Sequence, residues 1–444
     1  MSGEQLSSVA AARAAILAEV GEPLGRETVA VGHALGRVLA DDVRALVTLP
    51  PWDNSAMDGY AVRFDDVAAA TEGAPVRLVV SGEVPAGGVA VDVAKPGSAI
   101  RIATGAPLPP GADAVVPVED TVPLDATGKP GPRGRDVAGP LPAAVLVHVA
   151  PRKGGNVRRR GSDLSEGATI LTSGSAVSPA AVALAAGAGV AALPVRPRPR
   201  VAVLATGNEV RPAGSDLGPA GIPDANGPGL RALVEASGAE AVDLGIAPDQ
   251  LDVVVGRLRR ALDAGVAAIV VAGGVSVGPY DVVKIAFEAV GSIGLWRVAV
   301  QPGKPFAFGT APRPDGGKAL LFGLPGNPVS SFVTFELFVR PAIRRLGGRR
   351  DLLRPVDRGV LLDEARTAPG RRAFLRVTSD RDSDGAPARD GAGRVQVHLS
   401  HGPAGQGSHV LSALASADAL AVVSEDVEVH QAGDPVELWW LDAP

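Results

Sequence analysis

The spacing of apolar and polar positions changes its period several times along this chain, and each change marks a different kind of element. Residues 9–20 are Ala-rich with apolar positions at helical spacing and predict an N-terminal helix ending near Gly21. Residues 29–39 predict a short strand and turn. Between 76 and 149, short β-branched runs (76–80, 99–102, 114–118, 144–149) alternate with Gly and Pro turns, which is the pattern of an all-β module. Within it, 120–142 is polar and rich in Pro and Gly and reads as a long exposed loop. Arg196-Pro197-Arg198-Pro199-Arg200 reads as a linker, and the pattern changes after it. Fully apolar runs at 201–205 and 267–272 predict buried strands, while 229–237 and 251–264 have helical periodicity. That alternation predicts a mostly parallel sheet covered by helices on both faces. A helix over 328–345 closes the unit. After Gly347-Gly348 the chain returns to short β runs (372–377, 394–399, 419–423, 436–441), a small C-terminal β-domain. The expected fold is multidomain α/β plus β. An elongated linking domain comprises 1–45 with 150–195, a β-rich module 46–149, the α/β domain 196–347, and the last β-domain 348–444.

Composition narrows the chemistry. A net charge of −5 argues against nucleic acid or an anionic membrane as the main partner. No stretch approaches 18 apolar residues free of Pro and charge, and no basic segment followed by an apolar run opens the chain, so a cytoplasmic protein is expected. The absence of cysteine excludes thiolate metal sites and thiol nucleophiles. Glycine (56) and proline (39) punctuate the apolar runs and predict many short connected elements.

The stretch Pro51-Trp52-Asp53-Asn54-Ser55-Ala56-Met57-Asp58-Gly59-Tyr60-Ala61 suits no regular element and predicts a shaped loop presenting polar side chains. In the α/β domain, ligands bind beyond the carboxyl ends of the strands. Three turns are expected there: Thr206-Gly207-Asn208-Glu209, Gly273-Gly274-Val275-Ser276-Val277-Gly278, and Leu324-Pro325-Gly326-Asn327-Pro328-Val329-Ser330. The sheet should gather all three at one edge. The glycine-rich turn can bring backbone N–H groups close to an anion, but a plain strand-to-helix turn reads equally well. Asn327 and Pro328 suit N-cap and N1 positions, so the third turn is either a well-capped helix or an anion site at its N-terminus.

Lys304, framed by prolines and a glycine in Gln301-Pro302-Gly303-Lys304-Pro305, reads as a positioned cation. Arg158-Arg159-Arg160 reads either as a solvated charge run or as anion contacts. Asp53, Asp58, Asp163, Glu209 and Asp281 all lie in Gly- or Pro-bounded turns. A metal in such a chain would be a hard cation held by oxygen, with Mg²⁺ natural beside phosphate. The six histidines, His409 included, are taken as surface or packing residues.

Seven ordered motifs together resemble the molybdopterin molybdenumtransferase family (MoeA-like proteins and the E-domain of gephyrin). They are the 50–61 loop, Ala103-Thr104-Gly105-Ala106-Pro107 with its continuation to 116, Asn156 to Asp163, Thr206 to Glu209, Gly273 to Gly278, Pro302 to Pro305, and Leu324 to Ser330. The resemblance spans about residues 5–440. It implies a central MogA-like α/β domain, a C-terminal domain resembling a β-barrel, and an elongated homodimer whose clefts join the α/β domain of one subunit to the Asp58 loop of the other.

The implied reaction is insertion of molybdenum from molybdate into adenylylated molybdopterin, with Mg²⁺-dependent release of AMP. Asp58, Thr104, Asp163, Glu209 and Asp281 would be catalytic, with Glu209 and Asp281 as metal ligands. Gly273, Gly274, Ser276, Gly278, Pro325, Gly326, Asn327, Pro328 and Ser330 would hold pterin and phosphates, and Lys304 and Ser330, with Arg372 and Ser408, would meet the oxyanion. Transient contact with an adenylyltransferase and with recipient molybdoenzymes would follow. Where the family pattern has Asp-Ser-Asn-Gly-Pro-Met, this chain reads Asp224-Ala225-Asn226-Gly227-Pro228-Gly229, so one hydroxyl and one apolar side chain are missing. Two other functions remain open: a non-catalytic dimeric scaffold, as in gephyrin, and the adenylyltransferase step itself.

Overall fold

The computed structural model describes residues 6–134, 140–274 and 282–442. Its largest element is a six-stranded sheet in the order Glu240–Ala247, Arg200–Thr206, Ala268–Ala272, Lys318–Leu324, Pro305–Pro312, Ser292–Arg297. The first four strands run parallel and the last two antiparallel. Successive residues of Arg200–Thr206 enter opposite cores, which is why the run is apolar without alternation. Val201 and Val203 pack with Leu230 and Val234 of the helix Asn226–Ala236. Ala202 and Leu204 pack with Val254 and Leu258 of the helix Leu251–Asp263. Each buried Val or Leu contributes about 1.5–3 kcal/mol relative to exposure.

The N-terminal helix Val9–Glu19 starts where the Ser8 hydroxyl accepts the Ala11 N–H (3.1 Å), and its Ile16 joins the core of the α/β unit. The long closing helix is one continuous rod in three parts: Pro328–Thr334, a π-helical turn Phe335–Val339, and Arg340–Leu346. The π turn carries Glu336, which is fully buried. Arg354 donates Nε and Nη2 to its two oxygens at 2.8 Å each, and donates Nη1 to the Leu441 carbonyl. Burial is the main reason the nearby Arg340 guanidinium is lowered to about 10.

Beyond this helix, Arg372–Ser379, Val395–Leu399, Val356–Leu361, Pro435–Trp440 and Ala419–Val423 pair in turn, and the last pairs back to the first. The C-terminal region is therefore a closed five-stranded barrel, and closure leaves no edge within the ring. Val300–Gln301 runs parallel to Arg372–Ala373 and stitches the α/β unit to the barrel.

The N-terminal region is also rich in sheet. Its six strands lie in the order Ala114–Pro117, Gly59–Val62, Ser98–Ile102, Val76–Val84, Ala144–Val147, Thr121–Leu124. The segment expected to be a loop from 120 thus begins with a strand, whose Thr121 is buried. Pro123 disguised it in the sequence. The strand lies at the sheet edge, where a missing N–H is tolerated. Next to this sheet, Glu27–Ala30 pairs with Ala192–Val195 and Val43–Arg44 with Thr169–Leu171. They enclose a small core of Leu39, Val43, Ala185 and Leu193.

Candidate functional site

The three turns expected at the sheet edge do meet there, as far as they are described. Thr206, Ala272 and Leu324 end three neighbouring parallel strands, and the Gly273 N–H donates to the Leu324 carbonyl (3.1 Å). Gly273 has φ +99°, and a Cβ at this position would stand 2.6 Å from the Thr206 carbonyl oxygen, so only glycine fits. The turns enclose a cleft of about 570 Å³ lined by Glu209, Gly273, Gly274, Pro325 to Pro328 and Ser330. Val275 to Asp281 lie outside the described residues, so Ser276, Gly278 and Asp281 do too.

Two helices start at this cleft. Ala225, the N-cap of Asn226–Ala236, offers no side-chain cap, although Asp224 Oδ1 accepts the Gly227 N–H (2.8 Å). Asn327, the N-cap of the long helix, does not cap it either; Pro328 occupies the first turn. Asn327 instead donates Nδ2 to Ser408 Oγ (2.9 Å). Asn226 donates Nδ2 to the Gly326 carbonyl (2.7 Å), which ties the two helix starts together. Backbone N–H groups and the positive ends of two helix dipoles thus face the same space, an arrangement that favours an anion.

The charged walls are unevenly occupied. Glu209 is exposed in the cleft and its carboxylate accepts no hydrogen bond from the described residues. Asp249, which follows the fourth parallel strand, accepts the Asn208 N–H on Oδ2 (3.3 Å), and its own N–H donates to Asn208 Oδ1 (3.2 Å). Among the described residues no group of three or more His, Asp and Glu is arranged to hold a metal ion.

The barrel supplies the remaining wall. Ser408 touches Asn327, and His409, a surface residue as expected, lines the cleft. Their turn is anchored by Arg376, which is 1% exposed. Arg376 donates Nη2 to the carbonyls of Gly405 (2.8 Å) and Gly407 (3.2 Å), and its N–H donates to Gln406 Oε1 (2.9 Å). Its Nε has no partner among the described residues, and burial lowers the guanidinium to about 10.

Lys304 is half-buried beside the cleft-lining Pro305 and forms no ion pair among the described residues. Arg372 is held by Glu425, with Nε donating to Oε2 (2.9 Å) and Nη2 to Oε1 (3.3 Å), and it does not line the cleft.

A second cluster lies in the N-terminal region. Asp58 Oδ1 accepts both the Thr104 N–H (2.7 Å) and the Thr104 hydroxyl (2.9 Å). Tyr60, two residues on, is fully buried in the sheet core and fixes the end of the loop. Asp53 accepts the Arg160 N–H (2.8 Å) and Arg159 Nη1 (2.7 Å), so the arginine run braces the loop. Those bonds, the Arg160 N–H foremost, hold the Asp53 carboxyl below the usual carboxylate range. Asp163 lies on the turn after this brace, its N–H donating to the Leu49 carbonyl (3.1 Å) and its side chain exposed. Asp58, Thr104 and Asp163 are not on the cleft wall formed by the same chain.

Comparison with known proteins fits this architecture. Residues 7–189 match the MoeA N-terminal region (domain I and II), 202–345 a probable molybdopterin binding domain, and 358–441 the MoeA C-terminal region (domain IV). Over 422 residues the chain is 39% identical to molybdopterin molybdenumtransferase 2 of Mycobacterium tuberculosis, covering 93% of this chain and 95% of that one. It is 31% identical over 428 residues to the molybdopterin molybdenumtransferase of Haemophilus influenzae, covering 96% of each. The crystal structure of the molybdopterin biosynthesis moeA protein from Pyrococcus horikoshii OT3 superimposes with a TM-score of 0.77 at 26% identity, covering 98% of this chain and all of that one. The chain belongs to the molybdopterin molybdenumtransferase family, transferases of molybdenum cofactor biosynthesis.

Proposed function

We propose that this chain inserts molybdenum from molybdate into adenylylated molybdopterin and releases AMP. The observation that carries this reading is the cleft itself. Two helix N-termini and a glycine turn offer N–H groups to phosphate, and beside them stands Glu209, a carboxylate with no hydrogen-bond donor among the described residues. In this reading Gly273, Gly274 and Pro325 to Pro328 cradle the phosphates, and Ser276 and Gly278, next in sequence, are assigned to the same ligand. Glu209 positions the water whose oxygen bonds to the adenylyl phosphorus as the phosphoanhydride bond breaks, so AMP leaves and the pterin phosphate is freed; the two dithiolene sulfurs give up their protons and replace one molybdate oxygen, which departs as water. Lys304, Ser330 and Ser408 meet the molybdate oxyanion, whereas Arg372, held by Glu425 off the cleft wall, is not assigned to it. Rate enhancement would come from positioning and charge neutralisation, without a covalent enzyme intermediate.

The donor set suits Mg²⁺, which accepts one or two carboxylates and completes its shell with phosphate oxygens and water. Glu209 and Asp281 are its proposed ligands. Bound there, the ion would neutralise charge developing on the phosphates.

Asp58, Thr104 and Asp163 enter this reading through a homodimer, in which the β-rich module 46–149 of one copy faces the α/β domain 196–347 of the other. Leu46, Val47, Trp52 and Met57, all exposed around the Asp58 loop, supply an apolar surface that a second copy would cover. A cytoplasmic location agrees with a chain in which no helix among the described residues is long and apolar enough to cross a membrane.

The test is AMP release from adenylylated molybdopterin by the purified chain with Mg²⁺ and molybdate. Release that disappears in Glu209→Ala is expected. Absence of AMP from the wild-type chain refutes the proposal, and consumption of ATP with unmodified molybdopterin would assign the adenylyltransferase step instead.

A further inference from the structure

The cleft is short of positive charge. Its lining carries three carboxylates, Glu209, Asp224 and Asp249, and among the described residues one side chain able to become a cation, His409. Lys304 is not on the lining, although its neighbour Pro305 is. Two helix starts offer about half a unit of positive charge each. That sum does not balance the carboxylates even before a ligand arrives, and an anion with two negative charges deepens the deficit.

We propose that His409, as imidazolium, is the side chain through which the cleft takes a tetrahedral dianion, the chemistry shared by molybdate and a phosphate ester. The inference rests on the anion-binding reading given above.

The surroundings of the ring suit that task. Both ring nitrogens lack a hydrogen-bond partner among the described residues, so both N–H groups of an imidazolium are available to a ligand. The ring lies against Gly407, where an added Cβ would stand 3.0 Å from its Cε1 and 3.3 Å from its Nδ1. A side chain at 407 would push the ring off this seat. The turn itself is tied down: the Val410 N–H donates to the Gly407 carbonyl (3.2 Å), and the Leu411 N–H to the His409 carbonyl (3.1 Å). Gln406 bonds twice to the Arg376 main chain, Nε2 donating to the carbonyl (2.9 Å) and Oε1 accepting the N–H (2.9 Å). A solvated surface histidine needs no such frame. One that must meet an anion gains from it, because less motion is lost on binding.

The other charged and titratable groups nearby are already committed or stand off the lining. On the barrel side, Arg376 holds the Gly405 and Gly407 carbonyls, and the His401 ring meets the hydroxyls of Ser412 and Ser416. On the α/β side stand the three carboxylates and, off the lining, Lys304. Unlike lysine or arginine, an imidazole gains and loses its charge within the physiological range, so capture should weaken as pH rises.

Calorimetric titration of the full chain with Mg²⁺ present tests this, with molybdate and ribose 5-phosphate as separate probes of wild type, His409→Gln and His409→Lys. The lysine variant keeps its charge throughout and so reports any titration of the ligand itself. Relative to it, wild-type affinity for at least one probe should fall about tenfold or more between about pH 5 and about pH 8. His409→Gln should bind that probe weakly at both pH values and melt at the wild-type temperature. A loss confined to molybdate places the imidazolium at the oxyanion, a loss confined to ribose 5-phosphate places it at the phosphate, and a loss of both places it between them. The assignment is overturned if His409→Gln binds both probes as tightly as wild type, or if His409→Lys is as weak as His409→Gln. If the wild-type chain binds neither probe, the anion-binding reading itself falls.

Discussion

Asn327 and Ser408, 81 residues apart, meet through one hydrogen bond of 2.9 Å, and that bond joins the start of the long helix to the barrel. The Asn327 side chain forgoes its helix-capping role to make it. The first turn of the helix is therefore left open toward the cleft, while a barrel hydroxyl is drawn to the cleft's rim. Ser408→Ala should raise the KM for the adenylylated substrate several-fold and shift the melting temperature little, because a partly exposed neutral hydrogen bond is worth only about 0.5–1.5 kcal/mol. Steady-state AMP release and thermal melting check this together.

Glu209 offers a cleaner separation of function from stability. Its carboxylate has no partner among the described residues, so Glu209→Gln should leave the melting temperature within a degree or two of wild type. AMP release should fall by about two orders of magnitude or more, as expected when a carboxylate that positions water and metal at the reacting phosphate is lost. A large loss of stability would mean that the carboxylate has a structural role.

The buried Glu336 predicts the reverse. Removing its charge leaves Arg354 and Arg340 in a desolvated site without a counter-ion. Glu336→Gln should cost about 3 kcal/mol or more and unfold the joint between the long helix and the barrel at lower urea concentration. Tryptophan fluorescence suits the measurement, since Trp440 sits in the barrel core and Trp439 in the core that the barrel shares with the long helix.

Arg376 should act on the cleft without touching ligand. Arg376→Met would leave the Gly405 carbonyl unpaired, take from the Gly407 carbonyl one of its two donors, and release the turn that carries Ser408 and His409. The expected signature is a higher KM together with faster amide exchange across 405–409. A purely global destabilisation would instead loosen the whole barrel evenly.

The Asp53 brace gives a pH prediction of definite sign. Its folded carboxyl titrates below the usual aspartate value of about 3.9, so the unfolded chain binds the extra proton first. The stabilisation is complete above that value and is lost as pH falls through the folded one. Arg159→Met should raise the Asp53 midpoint in a carboxyl NMR titration but leave it below the ordinary value, because the Arg160 N–H remains. At neutral pH the wild-type loop should be insensitive to pH, while Arg159→Met should lack the part of the brace that the ion pair supplies.

Much of the cleft was legible in the sequence because uniformly apolar runs identify parallel strands, and parallel strands place their following turns at one edge. Thr206, Gly273 and Leu324 came together for that reason. Asp249 obeys the same rule after the strand Glu240–Ala247, a strand that carries no glycine-rich turn at its end to mark it in the sequence. His409 could not be reached by that logic. It arrives from the barrel, and the buried Arg376 that positions its turn looks in sequence like any arginine in a β run. Pro123 misled in the opposite sense, since proline signals a loop unless the strand lies at an edge. The pairing of Asp58 with Thr104 depends on antiparallel register between Gly59–Val62 and Ser98–Ile102, which spacing alone does not reveal.

The short parallel seam between Val300–Gln301 and Arg372–Ala373 limits what this molecule can do when a ligand arrives. Main-chain pairing at that position opposes a swing of the barrel like a lid over the α/β unit. Capture should then be a one-step collision whose rate rises in proportion to ligand concentration, with no plateau from a slow closing motion.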